Sequence, residues 1–111
     1  MPDDNWYSTR CVFSFDGLAE TPVYEERVTL WQAPDFETAI ALAETEAEEY
    51  AGDLCTFTGL VQAFHLYDVP GHGAEVFSLM RASALPAGDY LDRFFDTGDE
   101  RMGRDDAPAP R

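Results

Sequence analysis

The segment from Asp35 to Gly52 constrains this chain more than any other. Phe36, Ala39, Ile40, Ala43, Ala47 and Tyr50 recur at offsets of three, four, seven, eleven and fourteen, which is one stripe of a 3.6-residue period. Asp35 stands where a carboxylate accepts hydrogen bonds from the free amides of a first turn. Gly52 stands where a left-handed residue closes a helix. The spacing therefore predicts an amphipathic helix, and its apolar stripe must be buried against a second layer.

That layer is written as alternating segments on either side. From Trp6 to Phe15, Tyr7, Thr9, Cys11, Phe13 and Phe15 fall on one face, and Trp6, Ser8, Arg10, Val12 and Ser14 on the other; a strand has this period of two. Asp16-Gly17 opens a loop that Pro22 ends. Tyr24 to Gln32 reads as a second strand, with Tyr24, Glu26, Val28 and Leu30 on one side and Glu25, Arg27, Thr29 and Trp31 on the other. Val28 and Leu30, like Cys11 and Phe13, are expected to face inward. Thr56 to Tyr67 reads as a third strand with a bulge or close approach at Gly59. The turn-rich segment Asp68-Val69-Pro70-Gly71-His72-Gly73 leads to a fourth strand over 75–82. Pro86 to Asp96 reads as a short helix with Tyr90, Leu91, Phe94 and Phe95 on its apolar side. The expected order is ββαββα: an α+β domain over residues 1–98, built on a largely antiparallel four-stranded sheet with one long and one short C-terminal helix. Residues 99–111, charged and then Pro/Ala-rich, have the composition of a flexible tail. Apolar residues on both faces of the third and fourth strands require the second face to be covered by the C-terminal helix, a second copy or a partner.

Five short motifs stand in order around the helix. Trp6-Tyr7-Ser8 and Tyr24-Glu25-Glu26-Arg27-Val28 precede an acidic Ala/Glu helix. Gly59-Leu60-Val61, Leu66-Tyr67-Asp68 and Gly73-Ala74-Glu75-Val76-Phe77-Ser78 follow it. In this order the chain, from about Trp6 to Arg81, resembles the bacterial domain of unknown function family 4288. The resemblance implies a compact bacterial domain, often a stand-alone protein, and brings no activity, cofactor or catalytic residue with it.

Charge orders the possible partners. Seven cationic residues, all arginine, oppose 22 acidic ones, giving a net charge of −15 over 111 residues. A field of that sign repels phosphate backbones and anionic membranes, so neither nucleic acid nor membrane is expected, and it attracts basic proteins. It also keeps a small protein soluble, which is the plainer explanation. Met1 to Asn5 shows no basic region followed by an apolar stretch, and no apolar run approaches the ~20 residues of a membrane span. A cytoplasmic address is expected, with Cys11 and Cys55 as buried reduced thiols; a disulfide between them is the alternative.

Three groups of residues are candidates for chemistry or binding. The first is the helix: Glu37, Glu44 and Glu48 flank one side of its apolar stripe, and Glu46 and Glu49 the other, with no cation between Asp35 and Gly52. Like-charged neighbours at this spacing each cost ~0.2–0.5 kcal/mol in an isolated helix. The face is either a solvated acidic surface or a docking site for a basic partner. The second is the aromatic–arginine group Trp6, Arg10, Arg27 and Trp31, which would share one surface if the first two strands pair, favouring cation–π contacts. The third, His65, Asp68, His72 and Glu75, gathers the only two histidines but matches no metal-ligand spacing, so no metal is expected. Cys11 or Cys55 with His65 could form a thiolate pair, yet neither cysteine sits at a helix N-terminus that would lower its pKa. No cofactor motif is present. The expectation is a small protein-binding module of accessory, regulatory or immunity type that forms a homodimer. The alternative is a small-ligand-binding protein or minor enzyme using the His65/Asp68/Glu75 region.

Overall fold

A computed structural model describes residues 5–95 and 97–100. Residues 101–111 of the expected tail, and Met1 to Asp4, lie outside the described residues. The elements are β1 (Asn5–Phe15), β2 (Val23–Ala33), α1 (Phe36–Ala51), β3 (Thr56–His65) and α2 (Ala87–Phe94). The fold is α+β. Its sheet is antiparallel, with strand order β2-β1-β3. β1 and β2 form a hairpin in unbroken register from Asn5↔Ala33 to Phe15↔Val23. α1 then carries the chain across to the far side of β1, where β3 pairs from Tyr7↔His65 to Ser14↔Thr56.

The helix forms where its pattern demands. Asp35 accepts from the Thr38 amide at 2.7 Å, and Gly52, at φ 49°, returns its own amide to the Glu48 carbonyl. Ala39, Ala43, Ala47 and Ala51 are the buried residues of α1, a small-residue stripe that lets the helix backbone approach the sheet closely. Ala43, Ala47 and Ala51 pack with Cys11 and Phe13, and partly buried Phe57, Val61, Trp31 and Tyr50 close around them. Phe13 is wholly buried, with Tyr50 edge-on at 5.0 Å and Phe57 tilted at 5.5 Å. Removing a side chain of this size from water stabilises a fold by about 1.5–3 kcal/mol.

Gly59 takes φ 93°, and the β1–β3 register shifts between Cys11 and Phe13, so the expected irregularity is a bulge. Thr58 donates its hydroxyl to the Val12 carbonyl at 2.9 Å there, satisfying an acceptor that the ladder leaves over.

Two expectations are corrected. The sheet has three strands among the described residues, not four, and the order is ββαβα. Residues 75–82 form no strand, and hence no second hairpin with β3. β3 is an edge strand of this sheet, yet the segment does not add to it; alternation favours extended backbone without fixing what it pairs with. Here the segment lays Phe77 on the sheet face instead: its ring lies 6.2 Å from Phe64 and 5.1 Å from the Arg10 guanidinium. The second correction concerns β2. Val28 and Leu30 do not face the helix; the register puts Arg27 beside Cys11 and Trp31 beside Tyr7, so the other row turns inward.

The chain divides into two compact units, one ending at Leu79 and one beginning at Met80. In the second, Arg81 donates to the Tyr90 hydroxyl at 2.9 Å and stacks 4.4 Å over Phe94. Tyr90 and Phe94, on the expected apolar side of α2, lie 4.9 Å apart.

Candidate interaction surfaces

The aromatic–arginine group does not share a surface. Directly opposed residues of an antiparallel pair point to the same side of a sheet, so Arg27 and Trp31 lie with Cys11 and Tyr7 under α1. Trp6 and Arg10 lie on the far face, opposite Gln32 and Val28. Reading inwardness from apolar content favoured Val28 and Leu30; hydrogen bonds explain why the other row wins. The Trp31 indole N–H lies within donating distance of the hydroxyls of Thr9 at 3.0 Å and Thr29 at 2.9 Å. These two hydroxyls are themselves 3.1 Å apart. Thr9 is fully buried, and this arrangement satisfies its hydroxyl.

Arg27 and Glu46 form the polar joint between β2 and α1. Nη1 of Arg27 donates to Oε1 of Glu46 at 2.7 Å, with both side chains about a quarter to a third exposed. The guanidinium sits 3.8 Å over the Tyr50 ring, and the Tyr50 hydroxyl donates to Glu25 at 2.6 Å. The bond to Glu25, aided by burial, pushes the Tyr50 phenol up to about 12. The bond to Glu46 raises the Arg27 guanidinium above its ordinary value. One of the five α1 glutamates in the sequence pattern is thus neutralised by a cation from the sheet. Glu37, Glu44, Glu48 and Glu49 stay exposed, and no salt bridge to them occurs among the described residues.

On the far face Arg10 occupies the middle of the sheet. Its Nε and Nη2 donate to Gln62 at 3.0 and 2.6 Å, and Nη1 lies 3.4 Å from Glu26. Ser8, on the same face, is fully buried, and its hydroxyl finds no protein partner.

The residues considered for metal binding or catalysis do not converge. His65 is exposed and stacks on Tyr7 at 4.9 Å, while Asp68, His72 and Glu75 are exposed in the following segment. Among the described residues no group of three or more metal-capable side chains comes together. Cys11 and Cys55 are free thiols. Burial pushes both above the ordinary thiol value, the direction opposite to an activated nucleophile. Cys11 pairs with Val61 and His65 with Tyr7, four positions along the strands, or ~13 Å. A recess of ≈240 Å³ is lined by Ser14, Asp16, Asp53, Leu54, Cys55 and Thr56. Its ionisable side chains besides Cys55 are the carboxylates of Asp16 and Asp53, with no histidine beside the thiol and no cation to hold an anionic substrate.

No helix of the described residues is long and apolar enough to cross a membrane. No protein-family model, curated protein or solved structure matches this chain.

Proposed function

We propose that this chain is a protein-binding module of accessory, regulatory or immunity type, meeting a basic protein through the outer face of α1 and a second copy of itself through the sheet. The observation that carries the reading is the uneven neutralisation of the helix. Glu46, which points toward the sheet, has Arg27 at 2.7 Å, whereas Glu37, Glu44 and Glu48 on the opposite flank are exposed. Exposed like charges at helical spacing are destabilising, and a cationic surface laid against them relieves that repulsion and gains counter-charge. The resemblance to the bacterial family implies a small free-standing domain, which suits an accessory role. The enzyme alternative has less support: the His65/Asp68/Glu75 region is open, and the ≈240 Å³ recess is smaller than the ~300 Å³ at which ligand pockets begin.

The test is cross-linking in the native host followed by mass spectrometry, comparing the natural chain with a Glu37→Gln, Glu44→Gln, Glu48→Gln variant. The expected result is one or more basic proteins cross-linked to α1 and lost at least tenfold in the variant (the order expected when a charged hot spot is removed). An identical set of cross-links in both chains would show that the acidic face does not select the partner.

A further inference from the structure

β2 is an edge strand: among the described residues only β1 pairs with it. Its 11 residues run in unbroken register and include neither glycine nor proline, while Pro22 and Pro34 stand just outside its two ends. One whole side of the strand therefore offers unpaired backbone N–H and C=O groups. The other edge, β3, is interrupted by the bulge beside Gly59, where a regular ladder cannot continue. Phe77 lies over Arg10 and Phe64, on the β1–β3 half of the far face. In the β2 row of that face Tyr24, Val28 and Leu30 stay 62%, 45% and 41% exposed. On the opposite face a flank of α1 runs beside the strand, joined to it by Glu46 to Arg27 and Tyr50 to Glu25. Leu42 and Glu49, about one turn to either side of Glu46 on that flank, are exposed. The edge is acidic: Glu25, Glu26, Glu46 and Glu49 stand there, and the only cations paired with them are Arg27 and, one strand in, Arg10.

Resting on the reading of the chain as a protein-binding module, we infer that the open edge of β2 takes up an extended segment of a basic partner protein. The segment adds to the sheet as a further strand, with cationic and apolar side chains alternating along it. In strand addition the main-chain ladder supplies affinity and the alternate side chains supply specificity. One row of the added strand lies on the α1 side, beside Arg27, Thr29 and Trp31. There Glu49 has no salt bridge among the described residues. Glu25 accepts from Tyr50, and a carboxylate has room for further donors. That row is cationic. The other row lies beside Tyr24, Val28 and Leu30 and is apolar; Glu26, between them, is already held by Arg10 at 3.4 Å. Charge excludes the other occupants of the edge. A second copy would bring the same acidic edge against itself in chains of −15 each, with both α1 helices on one side of a continuous sheet. A neutral strand would take water from these carboxylates and return no counter-charge. The site is also separate from the opposite flank of α1, which carries Glu37, Glu44 and Glu48.

The test is titration of the full chain, followed by amide NMR, with a synthetic peptide of about seven residues that alternates valine with lysine or arginine. Saturable binding is expected with a Kd below about 100 μM, and with shifts and slowed amide exchange centred on β2 and the Glu46–Glu49 flank. Two further peptides keep every charge but are N-methylated at one or the other alternate set of amides. The one whose methylated amides face β2 should bind about tenfold or more weakly, because it has lost its ladder donors. A peptide of the same composition with its valines and cations in separate blocks should lose affinity to the same degree. Glu49→Gln, at an exposed helix position, should weaken binding about threefold, the order of one exposed ion pair. Absence of binding at about 1 mM overturns the inference. So does equal binding by the block and both N-methylated peptides, which would be charge attraction without a ladder, and so do shifts centred on β3. None of these readouts involves Glu37, Glu44 or Glu48, so the outer face of α1 keeps its own cross-linking test.

Discussion

Tyr50 holds three charged groups in one arrangement. Its ring faces the Arg27 guanidinium at 3.8 Å, its hydroxyl donates to Glu25 at 2.6 Å, and Arg27 reaches on to Glu46. The phenol can donate only while protonated, and the bond to Glu25 raises it to about 12 in the folded chain, against ~10 unfolded. A group whose folded pKa is raised contributes stability that is fully present below the unfolded value and is lost as pH climbs through the folded one. The melting temperature should therefore fall between about pH 10 and 12 more steeply in the natural chain than in Tyr50→Phe. Parallel curves for the two chains would mean that the Glu25 bond does not persist in solution. None of this joint was visible in sequence beyond the position of Tyr50 on the helix stripe. Glu25, Arg27 and Glu46 are spread over two elements, and only the helix-to-sheet packing brings them together.

At the scale of elements, α1 depends on small residues. Ala39, Ala43 and Ala47 are each at most 1% exposed, and the helix lies against Cys11 and Phe13 with no room between. Ala43→Leu adds three carbons where the interior is already filled, which costs typically about 1–3 kcal/mol. Urea unfolding followed by circular dichroism should show the midpoint lowered accordingly, whereas Ala41→Leu at an exposed position of the same helix should leave it nearly unchanged. Equal midpoints for the two variants would place the tight contact elsewhere. This element was legible in the sequence from end to end: the stripe, the Asp35 cap and the Gly52 stop are all local. The irregularity at Gly59 was legible as a bulge or a close approach, since a glycine in a strand interior marks one or the other, and the register shift beside it makes it a bulge. The fourth strand was not. Residues 75–82 carry the alternation of a strand, but a ladder partner is a property of the whole sheet.

For the whole molecule, the excess of acid sets the response to solution conditions. Two attractive pairs, Arg10–Glu26 and Arg27–Glu46, are present among the described residues, against a net charge of −15. Partly exposed pairs of this kind contribute about 1 kcal/mol or less each, so repulsion dominates the salt dependence. Raising salt from low concentration to about 0.3 M, where the Debye length drops well under 10 Å, should raise the melting temperature. Mild acidification to about pH 5 should act in the same direction by lowering the net charge. A melting temperature that falls steadily over that salt range would show that the attractive pairs outweigh the repulsion.

The sequence by itself determined what is local. Alternation marked β1 and β2, an apolar run marked β3, the 3.6-residue stripe marked α1, and the cap and stop residues fixed where the helix begins and ends, because each depends on stereochemistry within a few residues. Tertiary structure alone decided which row of β2 turns inward. Both rows of that strand mix apolar and charged side chains, and a one-residue change of register exchanges them. The choice fell to partners distant in sequence: the Thr9 hydroxyl for the Trp31 indole, and Glu46 of the helix for Arg27. That same choice left Val28 and Leu30 on the far face. The make-up of that far face is thus a consequence of strand register, which no stretch of the chain encodes alone.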